Sequence, residues 1–439
     1  MDTADSLHRC LHRAMLITLI CAALCTTPAL AENWPQWRGP EGNSICREVG
    51  LPVVWNAQIG SVWRAAIPGE GTSTPAVWEG ALYLTAQQGQ KLLVLKLDRR
   101  TGAILWTREL ATAPASFDPK EPPPLGYETG LASCAPAVDA GHVVVRFGSG
   151  DLAVLDHAGT LLWSRNLRTE FAGAAIPRGE PDSPAVWRNL VISAISLPAA
   201  PAAAEKSFPS FLVAHALDTG KEKWKVERRP EGDAVSSAAI SVRLVVHQPA
   251  EVLALGRGAL DAYDPATGTR RWSLAGLVGS AAVGSPTIGE GHAYFTLSAH
   301  SPLIAAKLAT AKRGDADKLD PAAIAWRYEP APCETCPPVV WGHLVFTITD
   351  DGLARGFDTL SGRMRWKQRL KGTYKAAPLA AEGRIYFLNT AGLCTIVSAG
   401  DRFERVAENQ LDDATASSPA ASGGQLFIRG QKYLHCLGK

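Results

Sequence analysis

Two short stretches of this chain carry residue types that could do chemistry. Cys333-Glu334-Thr335-Cys336 sets two thiols three positions apart, a spacing shared by haem attachment sites, zinc sites and dithiol oxidoreductases. Haem attachment needs a His directly after the second Cys, and Pro337 stands there. Zinc needs a second ligand pair at suitable spacing, and none follows. Dithiol exchange needs a strand–helix–strand context, which this region lacks. The pair therefore reads as structural thiols or as a local disulfide formed after export. Asp350-Asp351-Gly352 could offer carboxylates to a cation, but Asp-Gly between two apolar runs is first of all a hairpin turn. Beyond residue 31 the His are scattered with no His-x-x-x-His pair, and no Gly-x-Ser-x-Gly nucleophile turn occurs. From these residues no catalytic group, cofactor ligand or metal ligand is assigned.

The elements that would have to position any such group repeat along the chain. Ser73-Thr74-Pro75-Ala76-Val77 opens a unit of four short apolar strands that closes with Asp98-Arg99-Arg100-Thr101-Gly102 and then Ile104-Leu105-Trp106. The small-Pro-small start recurs at Pro136, Pro184, Pro286, Pro337, Pro378 and Pro419, with Ala238 in the remaining slot, at separations of 41 to 61 residues. The closing aromatic recurs at Trp163, Trp224, Trp272, Trp326 and Trp366, with Phe403 in the seventh slot. The eighth unit stops after Tyr433-Leu434-His435-Cys436, and its missing strand stands at the other end of the repeats, as Ser61–Ile67 with Trp63. Joining the two would close a ring and remove a free sheet edge. The expectation is an all-β, eight-bladed propeller of four-stranded antiparallel blades over 61–439. Each large aromatic would pack between neighbouring blades, and Asp-x-x-Thr-Gly would act as turn chemistry.

The first residues predict export. Arg9, His12 and Arg13 precede an apolar run from Met15 to Thr27, and Ala29-Leu30-Ala31 supplies a small-x-small cleavage site. Residues 1–31 are read as a signal peptide cleaved after Ala31, and 32–60 as a leader packed on the propeller. The run is shorter than the roughly 20 residues a spanning helix needs, so the protein is expected in the periplasm or cell envelope, peripheral to a membrane at most. With 44 basic and 42 acidic side chains and no basic block, nucleic acid is an unsuitable partner. Cys46, Cys134, Cys333, Cys336, Cys394 and Cys436 lie beyond the cleavage site, too sparse to build the fold, and their pairing stays open.

The repeat, best seen in Leu260–Trp272 and Gly356–Trp366, resembles the pyrroloquinoline-quinone (PQQ) propeller repeat, and the resemblance covers about 61–439. The stretch Asn33-Trp34-Pro35-Gln36-Trp37-Arg38-Gly39-Pro40 is similar to the leader of single-domain PQQ-like propellers of planctomycete-type bacteria. The resemblance implies one of two roles: a BamB-like envelope scaffold or a quinone-dependent oxidoreductase. Members of the second kind carry an adjacent Cys-Cys disulfide and acidic calcium ligands, and this chain has no Cys-Cys pair. BamB-like proteins are lipid-anchored, and the residues before Cys21 and Cys25 make a poor lipobox.

Connection lengths are unequal. The stretches 111–133, 168–181 and 197–210 are long, fall in units one to three, and by connectivity belong to one face. They hold Tyr127, Phe171, Arg178 and Phe208, the candidate contact residues, because binding residues concentrate on loops. The expected function is a non-catalytic scaffold for a protein or cell-envelope component, with no cofactor. PQQ with calcium at the ring axis is the alternative. Carbohydrate binding through Trp34 and Trp37 is a weaker one, set against a leader strapped along the propeller's side.

Overall fold

The computed structural model describes residues 32–56, 58–113, 130–172, 182–195, 210–228, 241–245, 250–256, 258–277, 284–297, 302–311, 321–329 and 335–438. Eight antiparallel sheets follow one another along the chain. Blades 1 to 7 span 76–112, 137–166, 185–228, 241–274, 287–328, 339–369 and 379–410. Blade 8 takes its three inner strands from Ala420–Ser422, Gln425–Arg429 and Tyr433–Leu437, and its outer strand is Ser61–Ala66. The ends join with Trp63 opposite Cys436 and Ala65 opposite Leu434, as the truncated last repeat requires.

In blades 1 to 7 the repeat strands run from the axis outward in chain order, and in blade 8 the outermost strand comes from the N-terminal end. Both faces of the middle strands are buried, because each sheet packs on a neighbour on either side. Between blades 1 and 2, for example, Tyr83, Leu92 and Val94 meet Val143, Val145 and Leu155. Outer strands such as Ile104–Thr112 and Leu161–Asn166 are largely exposed and bury little besides their Trp.

The aromatic and the turn turn out to be one device shared across blades. Trp224 of blade 3 lies against Gly268 in the Asp264–Gly268 turn of blade 4, and its Nε1 donates to Pro265 O at 3.0 Å. The same indole bond runs from Trp63 to Arg99 O, Trp106 to His157 O, Trp163 to Leu217 O, Trp326 to Thr359 O and Trp366 to Gly400 O. The turn that receives it is rigid. In blade 6 the Ser361 amide, Arg365 and the Ser361 hydroxyl hold the Asp358 carboxyl well below the usual carboxylate range.

Two blades depart from this pattern, each for a visible reason. In blade 5 the eroded turn sequence from Lys307 becomes the short helix Leu308–Ala311, and Trp272 turns its Nε1 to Glu251 Oε1 in its own blade at 3.1 Å. In blade 7 the register slot opposite Ile396 holds Ala407. Phe403 precedes the outer strand Arg405–Gln410 and packs edge-on against Trp366, with ring centroids 5.5 Å apart. It therefore serves the blade 6–7 junction instead of filling the seventh aromatic slot. Blade 8 offers no third-to-fourth turn for a Trp to meet. Its closure runs through the Gly438 amide to Gly60 O.

Candidate functional site

The leader enters the axial channel. The inner-strand edge of blade 1 receives Trp34 in a two-way backbone exchange with Val77, and Pro35 O accepts the Val138 amide of blade 2. Asn33 Oδ1 accepts the Glu79 amide, so the segment starts at the face carrying the first-to-second strand turns. It then climbs the channel. Trp37 Nε1 reaches Ser418 Oγ, just ahead of blade 8, at 3.4 Å. Arg38 Nη1 and Nη2 donate to Ser285 Oγ and Thr287 Oγ1 of blade 5 at 2.8 and 2.7 Å, and Nη2 also reaches Pro338 O of blade 6.

From Arg38 the chain doubles back. Gly39 and Gly42 take left-handed conformations, and a Cβ on Gly39 would stand 2.8 Å from the Trp34 ring, so the turn folds tightly over the indole. Ser44 Oγ accepts Arg38 Nε at 2.9 Å. Ile45–Cys46 then adds a fifth, parallel strand inside blade 7, opposite Ala380 and Ala381. Leu51 returns to the turn face, where Glu382 accepts its amide. One hairpin thus bonds blades 1, 2, 5, 6, 7 and 8 from within.

These positions correct two expectations. The leader is threaded through the axis instead of lying along the side, and its backbone pairs with the inner edges of blades 1 and 7. Trp34 is 0 % exposed and presents no face to a sugar. Arg38, the residue that spans the channel, was not singled out from sequence. Its signal was an Arg between two Trp residues and a glycine turn, in a segment without strand periodicity.

Among the loop candidates, Tyr127, Arg178 and Phe208 lie outside the described residues, as does Cys333. Phe171 sits on the short helix Leu167–Ala172 after blade 2. It packs on Phe211 of blade 3 at 5.8 Å between centroids, with Lys225 Nζ 5.1 Å from its ring. Its neighbours make it a wedge between blades. Asp350 lies in the second-to-third turn of blade 6 and faces away from it, accepting from Thr335 and pairing with Lys375 at 2.8 Å. Thr349 Oγ1 caps the turn through the Leu353 amide, and Gly352 supplies the left-handed position. Cys394 and Cys436 are buried free thiols, and burial pushes Cys436 up to about 12 and raises Cys394 as well. Neither has the thiolate character that redox or metal chemistry needs.

A calcium-bridged quinone at the axis would need several acidic oxygens converging on one point. Among the described residues no group of three or more His, Cys, Asp or Glu side chains converges so. Asp182 and Asp350, at the channel end away from the leader's entry, are each turned to a cation of their own, Arg146 and Lys375. These residues do not fit the group.

Fold and site together define an eight-bladed PQQ-like propeller whose channel is filled by its own N-terminal hairpin. The chain belongs to the family described as outer membrane protein assembly factor BamB, whose model matches residues 44–207, 93–318 and 312–433. No curated protein is similar enough in sequence to count as a relative. Among solved structures, BamB from Moraxella catarrhalis is 14 % identical, with a TM-score of 0.58 over 86 % of this chain and 99 % of that one. Quinohemoprotein alcohol dehydrogenase from Comamonas testosteroni is 14 % identical, with a TM-score of 0.63 over 92 % and 80 %. A europium-containing methanol dehydrogenase is 11 % identical, with a TM-score of 0.63 over 92 % and 90 %. At these identities the likeness is one of fold. No helix among the described residues is long and apolar enough to cross a membrane.

Proposed function

We propose that the protein is an exported, non-catalytic scaffold of the cell envelope that holds a protein partner on the face where the long connections of blades 1 to 3 open. The observation that carries this reading is the hairpin 33–46. It takes the axial space in which an oxidoreductase of this architecture would seat its quinone, and it bonds six blades while doing so. The family's described role in assembling outer membrane proteins supports a protein partner over a small-molecule substrate.

The test is calorimetric titration of the purified chain with PQQ, with and without calcium. The scaffold reading expects no heat of binding. Tight one-to-one binding would overturn it and move the protein to the oxidoreductases. In the same preparation, replacing 197–209 with a short Gly-Ser turn, which spares the strand Ser210–Ala216, is expected to leave the melting temperature unchanged while abolishing retention of the envelope partner.

A further inference from the structure

Arg146 and Arg429 hold the same place in two repeats. Each stands two residues beyond the second-strand residue paired with the first residue of the inner strand, Val144 with Ala137 and Phe427 with Ala420. Each is only 1 % exposed and reaches toward the start of the next blade. In blade 2 the guanidinium meets a carboxylate. Arg146 Nη1 lies 3.3 Å from Asp182 Oδ2, and that same oxygen accepts the Ala194 amide at 3.3 Å.

Asp182 stands two residues before Pro184, and the residue two before Pro75 is Ser73. Ser73 Oγ accepts the Thr85 amide at 3.1 Å, and Thr85 is the register equivalent of Ala194. The junction of blades 8 and 1 therefore repeats that of blades 2 and 3 with a hydroxyl in place of the carboxylate. Arg429 donates through Nη2 to Gly69 O at 3.3 Å, while its Nε and Nη1 are buried with no acceptor among the described residues.

Asp413 lends Arg429 some charge but no hydrogen bond. Its Oδ2 already accepts the Lys432 and Tyr433 amides and lies 3.5 Å from His435 Nε2. Burial outweighs that charge and draws the Arg429 guanidinium down to about 10. A guanidinium is a planar, two-pronged donor matched to carboxylates, and its burial without one is costly.

We propose that Arg429 forms an anion site between blades 8 and 1, beside Ser73, where its guanidinium takes a carboxylate from outside the chain as Arg146 takes that of Asp182 in blade 2. Arg429 ends a second strand and Ser73 precedes an inner strand, so the site belongs to the same face as the connections of blades 1 to 3. The Ser73 hydroxyl is already engaged, donating to Thr85 O at 3.2 Å and accepting the Thr85 amide, so the incoming group is held by the free donors of Arg429. The site is separate from the hairpin and does not depend on the scaffold reading.

The experiment is thermal unfolding of the purified chain in sodium acetate against sodium chloride at equal ionic strength. Acetate is expected to raise the melting temperature saturably, and Arg429→Met to remove that rise. Ser73→Asp supplies the carboxylate in cis. It is expected to raise the melting temperature in chloride and to weaken the acetate response by about tenfold or more in apparent affinity. A wild-type chain with no acetate-specific rise, or an acetate response that Ser73→Asp leaves unchanged, overturns the proposal. Should Arg429→Met fail to fold, the Ser73→Asp pair of measurements decides alone. Tri-alanine and its amidated form separate the sources. A stronger response to the free tripeptide that amidation removes assigns a chain terminus, and responses equal to acetate assign a small acid.

Discussion

Trp224 and Gly268 touch across the junction of blades 3 and 4, at a distance that admits no side chain on the glycine. A Cβ built on Gly268 would stand 2.6 Å from Trp224 Cε3, and its backbone is already left-handed at φ +71°. The repeat keeps Gly in the turn as much for the indole of the preceding blade as for the turn itself.

Gly268→Ala should therefore cost more than a left-handed glycine alone explains. Gly383 is an internal control, also left-handed at φ +72° but with nothing within 4 Å of the place a Cβ would take. Gly383→Ala is expected to lose about 1 kcal/mol from backbone strain, and Gly268→Ala about 2–4 kcal/mol, since overpacking adds to it. Denaturant midpoints of the two variants would check this. Equal losses would mean that the indole yields at no cost.

Removing an aromatic should separate the slot from its neighbour. Trp224→Ala takes away a buried indole and its bond to Pro265 O, and is expected to cost about 3–5 kcal/mol. Phe403→Ala acts on a half-buried ring outside the strand and should cost clearly less. Chemical denaturation of both proteins orders them.

Arg38→Met keeps the bulk of the side chain and deletes its donors to Ser285, Thr287 and Pro338 O. Pro338 O keeps the Thr287 hydroxyl, but Ser285 Oγ and Thr287 Oγ1 lose their charged donor at about 1–3 kcal/mol each in comparable cases, so a marked fall in melting temperature is expected. The loss should fall on the ring as a whole, because the hairpin joins blades far apart in sequence. Limited proteolysis should then open blades 5 and 6 as readily as the leader.

His215 gives the fold an acid limit. It is fully buried behind Trp163, and neither ring nitrogen has a hydrogen-bond partner among the described residues. Burial, helped by the charge of Arg165, draws it from 6.5 down to about 4. A histidine depressed in the folded state binds its proton more readily when unfolded. Its contribution is thus complete above about pH 6.5 and is lost progressively as pH falls toward 4. His215→Leu should flatten the fall in melting temperature between pH 7 and 4. An unchanged slope would assign the acid limit to other groups.

Much of the architecture was legible in the sequence, because a repeat states its unit many times over. The start at Pro136 and the close at Trp163 mark a blade even where one copy is eroded, and the truncated unit ending near Cys436 calls for the strand at Ser61. Local turn chemistry was equally plain at Asp350-Asp351-Gly352, where Asp-Gly forms the hairpin its neighbours imply. The slot at Ala407 was missed because Phe403 is an aromatic at nearly the right spacing, and only the register opposite Ile396 tells a strand residue from its flank.

What the chain by itself determined is everything that depends on near neighbours: strands, turns, the blade count and the closing of the ring. What only the tertiary structure decided are the partnerships across hundreds of residues, such as Arg38 with Thr287 and Ile45 with Ala380. The leader's course and the half-partnered guanidinium of Arg429 leave no periodic trace. They are contacts between surfaces that exist only once the ring has closed, and no spacing along the chain encodes which of those surfaces will meet.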